Sequence, residues 1–360
     1  GLSLSLPDLW RLRQLQASES AEGAAGFGQA KRIILLYLYG AAAQHETYDP
    51  KPDAPAEIRG EFRPIETAVP GVDLCEHLPR LAAIADRVTF IRSMTHPYNI
   101  HSAAYTLTGV DKVDIPMELG PYDTRHWPFF GSVLDLLAQR RNPTAPPPEV
   151  PRNIALPFLF SSRCPEFDRG GPYGGFLGQA YNPVWTEYEG TATRPGSRWR
   201  GNADQTVPDP FRGVADDCRF TVSPTAQLRP EMTLDRLDRR RSLLQQLEAE
   251  RGRFERSAAA KTLDRFSAMA YSLMTSQKLR EALDISREPA ARRERYGMTL
   301  FGQATLAGRR LLEAGATLVS VFWDEFGPAN SAWDTHFNHY ERLKDELLPG
   351  LDQTLTALIL

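Results

Sequence analysis

The stretch RIILLYLYGAAAQHETYDPKPDAP, residues 32–55, indicates the fold of this protein. Its first part, residues 33–39, is short, apolar and rich in β-branched and aromatic residues, with little polar alternation. This pattern is typical of a strand that is buried on both faces of a parallel sheet. The sequence therefore predicts an α/β fold in which residues 33–39 form a central strand.

Small residues and then polar residues follow this strand. The segment Gly40 to Ala43 would let the backbone pass close to a bound group, and His45, Glu46 and Asp49 come shortly after it. Ligand sites in open α/β sheets form just beyond the carboxyl ends of the strands. The sequence therefore predicts a binding site here, and the alternative is a surface loop whose acids are merely solvated.

The composition argues against several classes of protein. The chain has 360 residues, enough for one large α/β domain or two smaller ones. With 42 basic and 45 acidic residues, its formal net charge of −3 gives no global field that would attract nucleic acid or an anionic membrane surface. No uninterrupted apolar run approaches the roughly 20 residues that span a bilayer. We therefore expect no nucleic-acid partner and no membrane span.

The three cysteines do not suggest a metal site or a stapled scaffold. Cys75, Cys164 and Cys218 are far apart and odd in number, so they form neither a zinc pattern nor a disulfide framework. A single disulfide between two of them stays open as an alternative.

Both ends of the chain have patterns of their own. Residues 1–30 pass from an apolar stretch through Pro7 to a polar, Ala/Gly-rich segment, which is typical of the end of an export leader or of a disordered arm. Residues 343–360 keep helical spacing and stop on Leu-Ile-Leu without a helix stop signal. We expect a helix there and a fold that is truncated at the C-terminus.

Apolar patterns between the two ends alternate between strand and helix. Such alternation favours a mostly parallel central sheet flanked by helices. Further strands are expected at residues 88–92, 154–160 and 317–323, and helices at residues 101–108, 130–137 and 301–314.

Two long segments have a different character. Residues 161–230 are rich in Gly, Pro, Tyr and Arg and predict a loop-rich insert that serves as a lid or binding loop, or that caps the sheet edge. Residues 233–284 have helical spacing with a dense charged face, DRLDRRRS, which favours a solvated helix hairpin over a basic binding patch.

A second polar opening follows the last predicted strand, in the segment DEFGPANSAWDTHFNHY. Asp334 and His336 lie close together there, with Asp324, Glu325 and His339 nearby. A carboxylate and an imidazole at short spacing suit zinc, manganese or another borderline ion. The commoner alternative is a hydrogen bond between a histidine and a neighbouring acid.

A third cluster lies in HPYNIHSAAYTLTG, where His101 and Ser102 stand at the start of a predicted helix. The free N–H groups of a helix N-terminus stabilise anions, so an oxyanion or a phosphate could bind there. In the alternative reading, Ser102 is an N-cap residue, which is the commoner role of serine at such a position.

These motifs together resemble a known family. The segments GAAAQHETYDPKPDAPAEIRGEFRPIETAVPG, CEHLPRLAAIADRVTFIRSMTHPYNIH and AWDTHFNHYERLK look like the bacterial family called domain of unknown function 1501, over residues 31–360. That family is similar to the alkaline phosphatase and sulfatase superfamily, and its members usually carry a twin-arginine-type export leader. The resemblance implies one alkaline phosphatase-like domain at residues 31–360 and an exported, periplasmic or envelope location.

The resemblance also implies a function, a metal-dependent hydrolase that acts on phosphate or sulfate esters. Glu46, Asp334 and His336 would then hold a divalent metal ion, with zinc, manganese and calcium as the candidates. His101 and Ser102 would face the substrate anion as the catalytic residues. The substrate would be an anionic ester or a sulfated glycan.

The sequence also departs from the family pattern. Three alanines at residues 41–43 stand where the family has Gly, Pro and Ser, and Glu46 replaces its first Asp. Ten residues before Gly109, where the superfamily places its nucleophile, this chain has Asn99. Direct attack by water would then replace a covalent intermediate. The alternative function is a non-catalytic envelope or surface protein that binds an anionic glycan or a protein partner.

Overall fold

A computed structural model describes most of the chain: residues 28–96, 101, 103–110, 123–163, 169–198, 205–222 and 269–360. The strands in these ranges are β1 (Ile33–Leu38), β2 (Pro64–Glu66), β3 (Asp73–Cys75), β4 (Asn153–Leu156), β5 (Val184–Glu189), β6 (Pro195–Ser197), β7 (Thr206–Pro208), β8 (Arg219–Val222) and β9 (Leu318–Trp323).

Helices surround these strands. The α-helices are α1 (Ala56–Arg59), α2 (Pro79–Ala82), α3 (Ala104–Thr108), α4 (Phe130–Arg141), α5 (Gln277–Leu283), α6 (Ala290–Tyr296), α7 (Leu300–Ala314), α8 (His339–Arg342) and α9 (Leu348–Ile359). A π-helical turn, Leu343–Leu347, joins α8 to α9. Short 3-10 helices lie at Gln44–Glu46, Ala85–Arg87, Gly175–Leu177, Gln179–Tyr181 and Ile285–Arg287. In the described ranges, no helix is long and apolar enough to cross a membrane.

The centre of the fold is a five-stranded sheet in the order β1-β9-β4-β5-β8. The strands β1, β9, β4 and β5 are parallel to one another, and β8 runs antiparallel to β5. Two separate hairpin-like pairs, β2–β3 and β6–β7, lie outside this sheet. The predicted α/β fold with a mostly parallel sheet packed against helices is confirmed.

The strand β9 shows why this sheet is buried on both faces. Successive side chains of a strand point to opposite faces. Val319 and Val321 belong to the larger core cluster, which includes residues of α7, whereas Leu318 and Phe322 belong to a second cluster with Leu107 of α3. All six residues of β9 are buried, so the predicted strand at residues 317–323 is confirmed.

The sequence predicted a central first strand, but among the described strands β1 lies at the edge of the sheet. Among the described strands β1 pairs with β9, in the register Leu38 opposite Trp323. Its side chains still contact both core clusters, Leu36 on one face and Leu35 on the other. An apolar run indicates that both faces of a strand are covered, but it does not indicate how many strands pair with it.

Two other predicted strands differ from the structure. Residues 88–92 were predicted to form a strand, but they have an irregular backbone, and Val88 and Phe90 pack against the core without a partner strand. High β-propensity means that residues fit a half-buried pleated surface, and Val88 and Phe90 achieve that contact without pairing. The strand predicted at residues 154–160 ends at Leu156, because Pro157 has no N–H to donate to a sheet.

The glycine-rich and helical segments are only partly described. Residues 161–230 contain β5 and β8, which extend the central sheet, and the β6–β7 pair, so this part of the chain contributes more than the loops that the sequence predicted. Short strands with poor alternation gave no periodic signal there. Residues 269–275 and α5 are helical, as predicted, and residues 223–268 lie outside the described ranges.

The predicted helices are confirmed with shifted ends. The helix expected at residues 301–314 is α7, which Thr299 caps by accepting a hydrogen bond from the Gly302 N–H at 3.1 Å. The helix expected at residues 130–137 is α4, and the one expected at residues 101–108 is the shorter α3. The helical spacing of residues 343–360 corresponds to the π-helical turn and α9.

The carboxyl ends of β1 and β9 bring two distant segments together. The Trp333 N–H donates a 2.7 Å hydrogen bond to the Tyr39 carbonyl. Gly40 follows in the left-handed region, with φ of +93°, and a Cβ placed on it would lie 1.9 Å from the Asp334 nitrogen. Only glycine allows both this conformation and this approach.

We predict that Gly40→Ala destabilises the fold by more than about 2 kcal/mol, because it adds steric overlap to backbone strain. The measurement is urea unfolding of both proteins. Gly71→Ala is the matched control, since Gly71 also has positive φ, +79°, but a Cβ there would have nothing within 4 Å. The free energy of unfolding should fall by about 1 kcal/mol in this variant. Equal losses in the two variants would show that the approach to Asp334 is not tight.

Candidate metal centre

Three side chains converge beyond the carboxyl ends of β1 and β9. One ligand atom from each of His101, Asp334 and His336 lies within 4.8 Å of the other two. The two carboxylate oxygens of Asp334 are divided between the histidines. Nε2 of His336 lies 3.0 Å from Oδ1, and Nε2 of His101 lies 3.4 Å from Oδ2. The two imidazole rings are stacked, with centroids 6.0 Å apart and planes 18° from parallel.

This cluster is open to solvent on one side. The side chains of His101 and His336 are 52% and 53% exposed, whereas that of Asp334 is 19% exposed. A catalytic metal site keeps a coordination position free for water or substrate, whereas a structural site is closed. Three protein ligands with exposed imidazoles therefore correspond to an open site.

Tyr39, the residue after β1, positions the cluster through hydrogen bonds of its backbone and its side chain. Its carbonyl accepts from the Trp333 N–H, which fixes the backbone next to Asp334, and its hydroxyl donates to the carbonyl of His101 at 3.1 Å. One residue therefore contacts both of the segments that carry the three side chains. Because Tyr39 is 3% exposed and packs edge-on against Phe160, its own position is fixed by the core.

A buried arginine lies next to this tyrosine. The Arg169 guanidinium donates a hydrogen bond to the Tyr39 hydroxyl and lies over its ring, 4.7 Å from the centroid. Burial lowers the pKa of Arg169, and the charges of Asp324, Glu325 and Asp334 oppose this effect. Arg169 thus contributes positive charge near the cluster.

Two buried acids hold the loops that follow β9. Asp324 accepts from the Ser161 N–H at 2.7 Å, and Glu325 accepts from the Ser331 N–H at 3.1 Å. Burial raises the pKa of Asp324 to about 6, although the two backbone hydrogen bonds to its carboxylate and Arg169 act in the opposite direction. Burial also raises the pKa of Glu325 to about 7, and Asp324 adds to the effect. These acids stabilise loop positions and are not part of the His-Asp-His cluster.

Glu46 lies in a separate arrangement. Its carboxylate is 2% exposed and lies between two histidines, with Oε1 3.0 Å from Nε2 of His45 and Oε2 3.1 Å from Nε2 of His339. The other ring nitrogen of His339, Nδ1, lies 2.6 Å from the Thr335 hydroxyl. Burial, and then the Glu46 charge, raises the pKa of the Tyr340 phenol, which also hydrogen-bonds to Glu46.

The structure therefore brings some of the predicted site residues together and leaves others apart. His101, predicted to face the substrate, joins Asp334 and His336, predicted to bind metal. Glu46 is not among the converging ligand atoms, and its assignment as a metal ligand stays a prediction. Ser102 lies outside the described residues, as does Asn99.

Sequence reasoning missed three residues that shape this region. Tyr39 was read as an ordinary strand residue, and Arg169 lies in the segment predicted to be a loop-rich insert. Thr335 stood unnoticed between two metal-type residues. Thr335 and His339 are four residues apart, but the segment between them is not helical, so this spacing gave no signal of their contact.

The donor set tests which ions would fit the cluster. Two imidazole nitrogens and one carboxylate oxygen suit zinc and other borderline divalent ions. Calcium prefers six to eight oxygen ligands, so two imidazoles do not suit it. Of the ions predicted from the sequence, the cluster favours zinc, with manganese next because it also accepts carboxylate ligands.

The fold and this site define an α/β protein with a candidate His-Asp-His metal cluster at the carboxyl edge of a mostly parallel sheet. A family model described as "Protein of unknown function (DUF1501)" matches residues 30–360. The chain belongs to that family, as the sequence motifs predicted. Neither a curated protein nor a solved structure matches the chain.

The raised pKa of Glu325 gives a pH prediction. A carboxyl whose folded pKa, about 7, exceeds its ordinary value of 4.5 contributes stability at low pH and loses it as the pH rises through 7. Glu325→Gln keeps an oxygen for the Ser331 N–H but does not ionise. We expect the free energy of unfolding to fall about 2 kcal/mol less between about pH 5 and pH 7.5 in this variant than in the unmodified protein.

The measurement is urea unfolding at both pH values. Glu313→Gln is the control, because the Glu313 side chain is 60% exposed and its replacement should leave the pH dependence unchanged. The same pH dependence in Glu325→Gln and the unmodified protein would contradict the assignment.

Proposed function

We propose that this protein is a metal-dependent hydrolase of phosphate or sulfate esters, in which His101, Asp334 and His336 hold the metal ion. The observation that carries the proposal is the convergence of their ligand atoms within 4.8 Å. His101 lies just before α3, and Asp334 and His336 lie after β9, more than two hundred positions later in the sequence. Such a convergence at the carboxyl edge of a parallel sheet lies where α/β proteins bind their ligands.

The chemistry of the cluster supports hydrolysis of a charged ester. A divalent ion held by these three ligands would supply positive charge that stabilises the oxygens of a transferring phosphoryl or sulfuryl group. The exposed side of the cluster, formed by the two imidazoles, would leave room for that group to reach the ion from solvent, while the carboxylate of Asp334 stays partly covered.

A buried cation strengthens the preference for an anionic substrate. Arg169 is close enough to interact electrostatically with Asp334, and its guanidinium is fixed by the Tyr39 hydroxyl and ring. A fixed positive charge in a low-dielectric setting acts on a nearby anion more strongly than a solvated one does. The proposed substrate is therefore an anionic ester, for which a sulfated glycan is one candidate.

An exported location is part of the proposal. It is supported by the leader-like pattern of residues 1–30. A periplasmic or envelope protein would meet anionic glycans and organic phosphate esters as substrates.

One observation favours a second candidate, a non-catalytic protein that binds an anionic glycan. Trp127 and Phe176 form an edge-to-face pair 5.3 Å apart and are 40% and 48% exposed. Exposed aromatic rings with one free face are suited to stacking on an apolar ligand surface. Binding of a sulfated glycan without turnover, unaffected by a chelator, would support this candidate over the hydrolase.

The test of the proposed function is Asp334→Ala in the full chain. Removal of the central carboxylate should lower bound zinc from about one ion per chain to a small fraction of that, because only two exposed imidazoles remain. Hydrolysis of an aryl phosphate and of an aryl sulfate should fall by about 10²-fold or more. Metal content by plasma mass spectrometry and initial rates are the two measurements.

Asp216→Ala is the matched control, because the Asp216 side chain is 94% exposed. It should leave both metal content and rate unchanged. Unaltered zinc content in Asp334→Ala would remove the assignment of this cluster, and absence of ester turnover in the zinc-loaded unmodified protein would contradict the hydrolase.

A further inference from the structure

A hydroxyl, an imidazole and a buried carboxylate lie next to one another beside the candidate metal centre. The Thr335 Oγ1 lies 2.6 Å from Nδ1 of His339, and Nε2 of the same ring lies 3.1 Å from Oε2 of Glu46. Both nitrogens of His339 are therefore engaged, one by a hydroxyl and one by an acid.

The charge of Glu46 favours one tautomer of His339, and that tautomer decides which atom donates between His339 and Thr335. Oε2 of Glu46 accepts no hydrogen bond, so its 3.1 Å contact with Nε2 of His339 is an electrostatic one, and the negative charge favours the tautomer with a proton on Nε2. In a neutral imidazole the other nitrogen, Nδ1, is then an acceptor, and the Thr335 hydroxyl donates to it. The hydroxyl proton of Thr335 therefore points at a basic nitrogen.

The three groups differ in burial in the way that nucleophile activation requires. The Glu46 side chain is 2% exposed, that of His339 is 32% exposed, and Thr335 is half-buried. The carboxylate is thus shielded from water, which strengthens its interaction with the ring, while the hydroxyl can be reached from outside. An accessible nucleophile, a base within hydrogen-bond reach and a third group that orients the base are the signature of covalent catalysis.

The backbone around these groups is tightly held. His339 is the first residue of α8, and Asn338 before it has a left-handed conformation, with φ of +50°. The buried Arg342 guanidinium donates to the Ala332 carbonyl at 2.6 Å and ties α8 to the segment that leads to Thr335. A hydroxyl that merely closes a turn does not need a buried carboxylate on the far side of its partner ring.

We propose that Thr335 is the nucleophile of this protein, with His339 as its general base and Glu46 as the residue that positions His339. The proposal rests on the proposed function, because it assigns the group that receives the phosphoryl or sulfuryl group of the ester. It supplies the nucleophile that Asn99 cannot provide, and it gives Glu46 a role other than metal ligation.

The transfer would proceed in two balanced steps. In the first, Thr335 Oγ1 forms a bond to phosphorus or sulfur and its proton moves to Nδ1 of His339. The bond between the phosphorus or sulfur and the ester oxygen breaks, and the ester oxygen leaves as an alcohol with the proton from His339. In the second, water forms a bond to the same phosphorus or sulfur and gives a proton to Nδ1 of His339. The bond between Thr335 Oγ1 and that phosphorus or sulfur breaks, the proton on His339 returns to Oγ1, and phosphate or sulfate leaves.

The experiment uses a fluorophosphonate probe on the full chain, with and without a chelator. Attack by Thr335 Oγ1 forms an oxygen–phosphorus bond, breaks the phosphorus–fluorine bond and releases fluoride, while the proton passes to His339. We expect covalent labelling at Thr335, located by peptide mass spectrometry. Labelling requires no ester turnover, so it can be judged even if the proposed function fails.

Variants separate the nucleophile from a structural hydroxyl. Thr335→Ser should retain labelling, and Thr335→Val, of nearly equal volume, should abolish it while circular dichroism stays unchanged. Thr275→Val is the matched control, because Thr275 makes a 2.8 Å hydrogen bond to the Tyr271 carbonyl four residues earlier, without an imidazole. It should label like the unmodified protein.

Further variants test the base and its positioning residue. His339→Asn keeps a hydrogen-bonding group near Nδ1 but cannot accept the proton, and it should lower the labelling rate by about 10²-fold or more. Glu46→Gln should lower the labelling rate, because the neutral amide no longer stabilises the positive charge that His339 gains with the proton, whereas Glu46→Asp, which keeps the charge, should retain much of the rate. A merely structural role of Glu46 would leave Glu46→Gln with the labelling rate of the unmodified protein.

The outcomes decide between the proposals. Label at Thr335 that persists with chelator, together with a failure to bind zinc, would uphold the nucleophile and contradict the metal hydrolase. Zinc-dependent ester turnover with no label at Thr335 would overturn the nucleophile and leave the hydrolase intact. Equal labelling of Thr335→Val and the unmodified protein would also overturn the nucleophile.

Discussion

The close contact between the end of β1 and the segment before Asp334 is the constraint on which the candidate site depends. The Trp333 N–H binds the Tyr39 carbonyl at 2.7 Å, and the backbone at Gly40 approaches the Asp334 nitrogen so closely that no Cβ fits between them. Through this contact the parallel pairing of β1 and β9 sets the position of Asp334. Tyr39 then holds the His101 carbonyl, so a single strand end organises the cluster.

Burial and charge around this contact distinguish the acids that stabilise loops from the side chains of the candidate metal cluster. Asp324 and Glu325 are buried acids whose carboxylates accept backbone N–H groups, and burial raises the pKa of both. They hold loops, whereas His101 and His336 are exposed and face one carboxylate. Glu46 combines the two properties, because it is buried like the loop acids and still contacts two half-buried histidines.

The sequence predicted the α/β class, the strand at residues 317–323 and the proximity of Asp334 to His336, because hydrophobic runs and short spacings are local signals. It did not predict that β1 lies at an edge or that residues 88–92 stay unpaired, since pairing partners are set by distant segments. The approach of His101 to Asp334, and the contact between His339 and Glu46, depend on the same long-range packing. The contact between Thr335 and His339 could not be read from their spacing, because the segment between them is not helical.

The central claim is that His101, Asp334 and His336 bind a divalent ion. Anomalous X-ray scattering at the zinc edge, from crystals grown with zinc, tests it most directly. The account predicts one strong peak within about 2.0–2.2 Å of both Nε2 atoms and of an Asp334 oxygen. A fully ordered cluster without an anomalous peak, or a peak that contacts none of the three side chains, would contradict it.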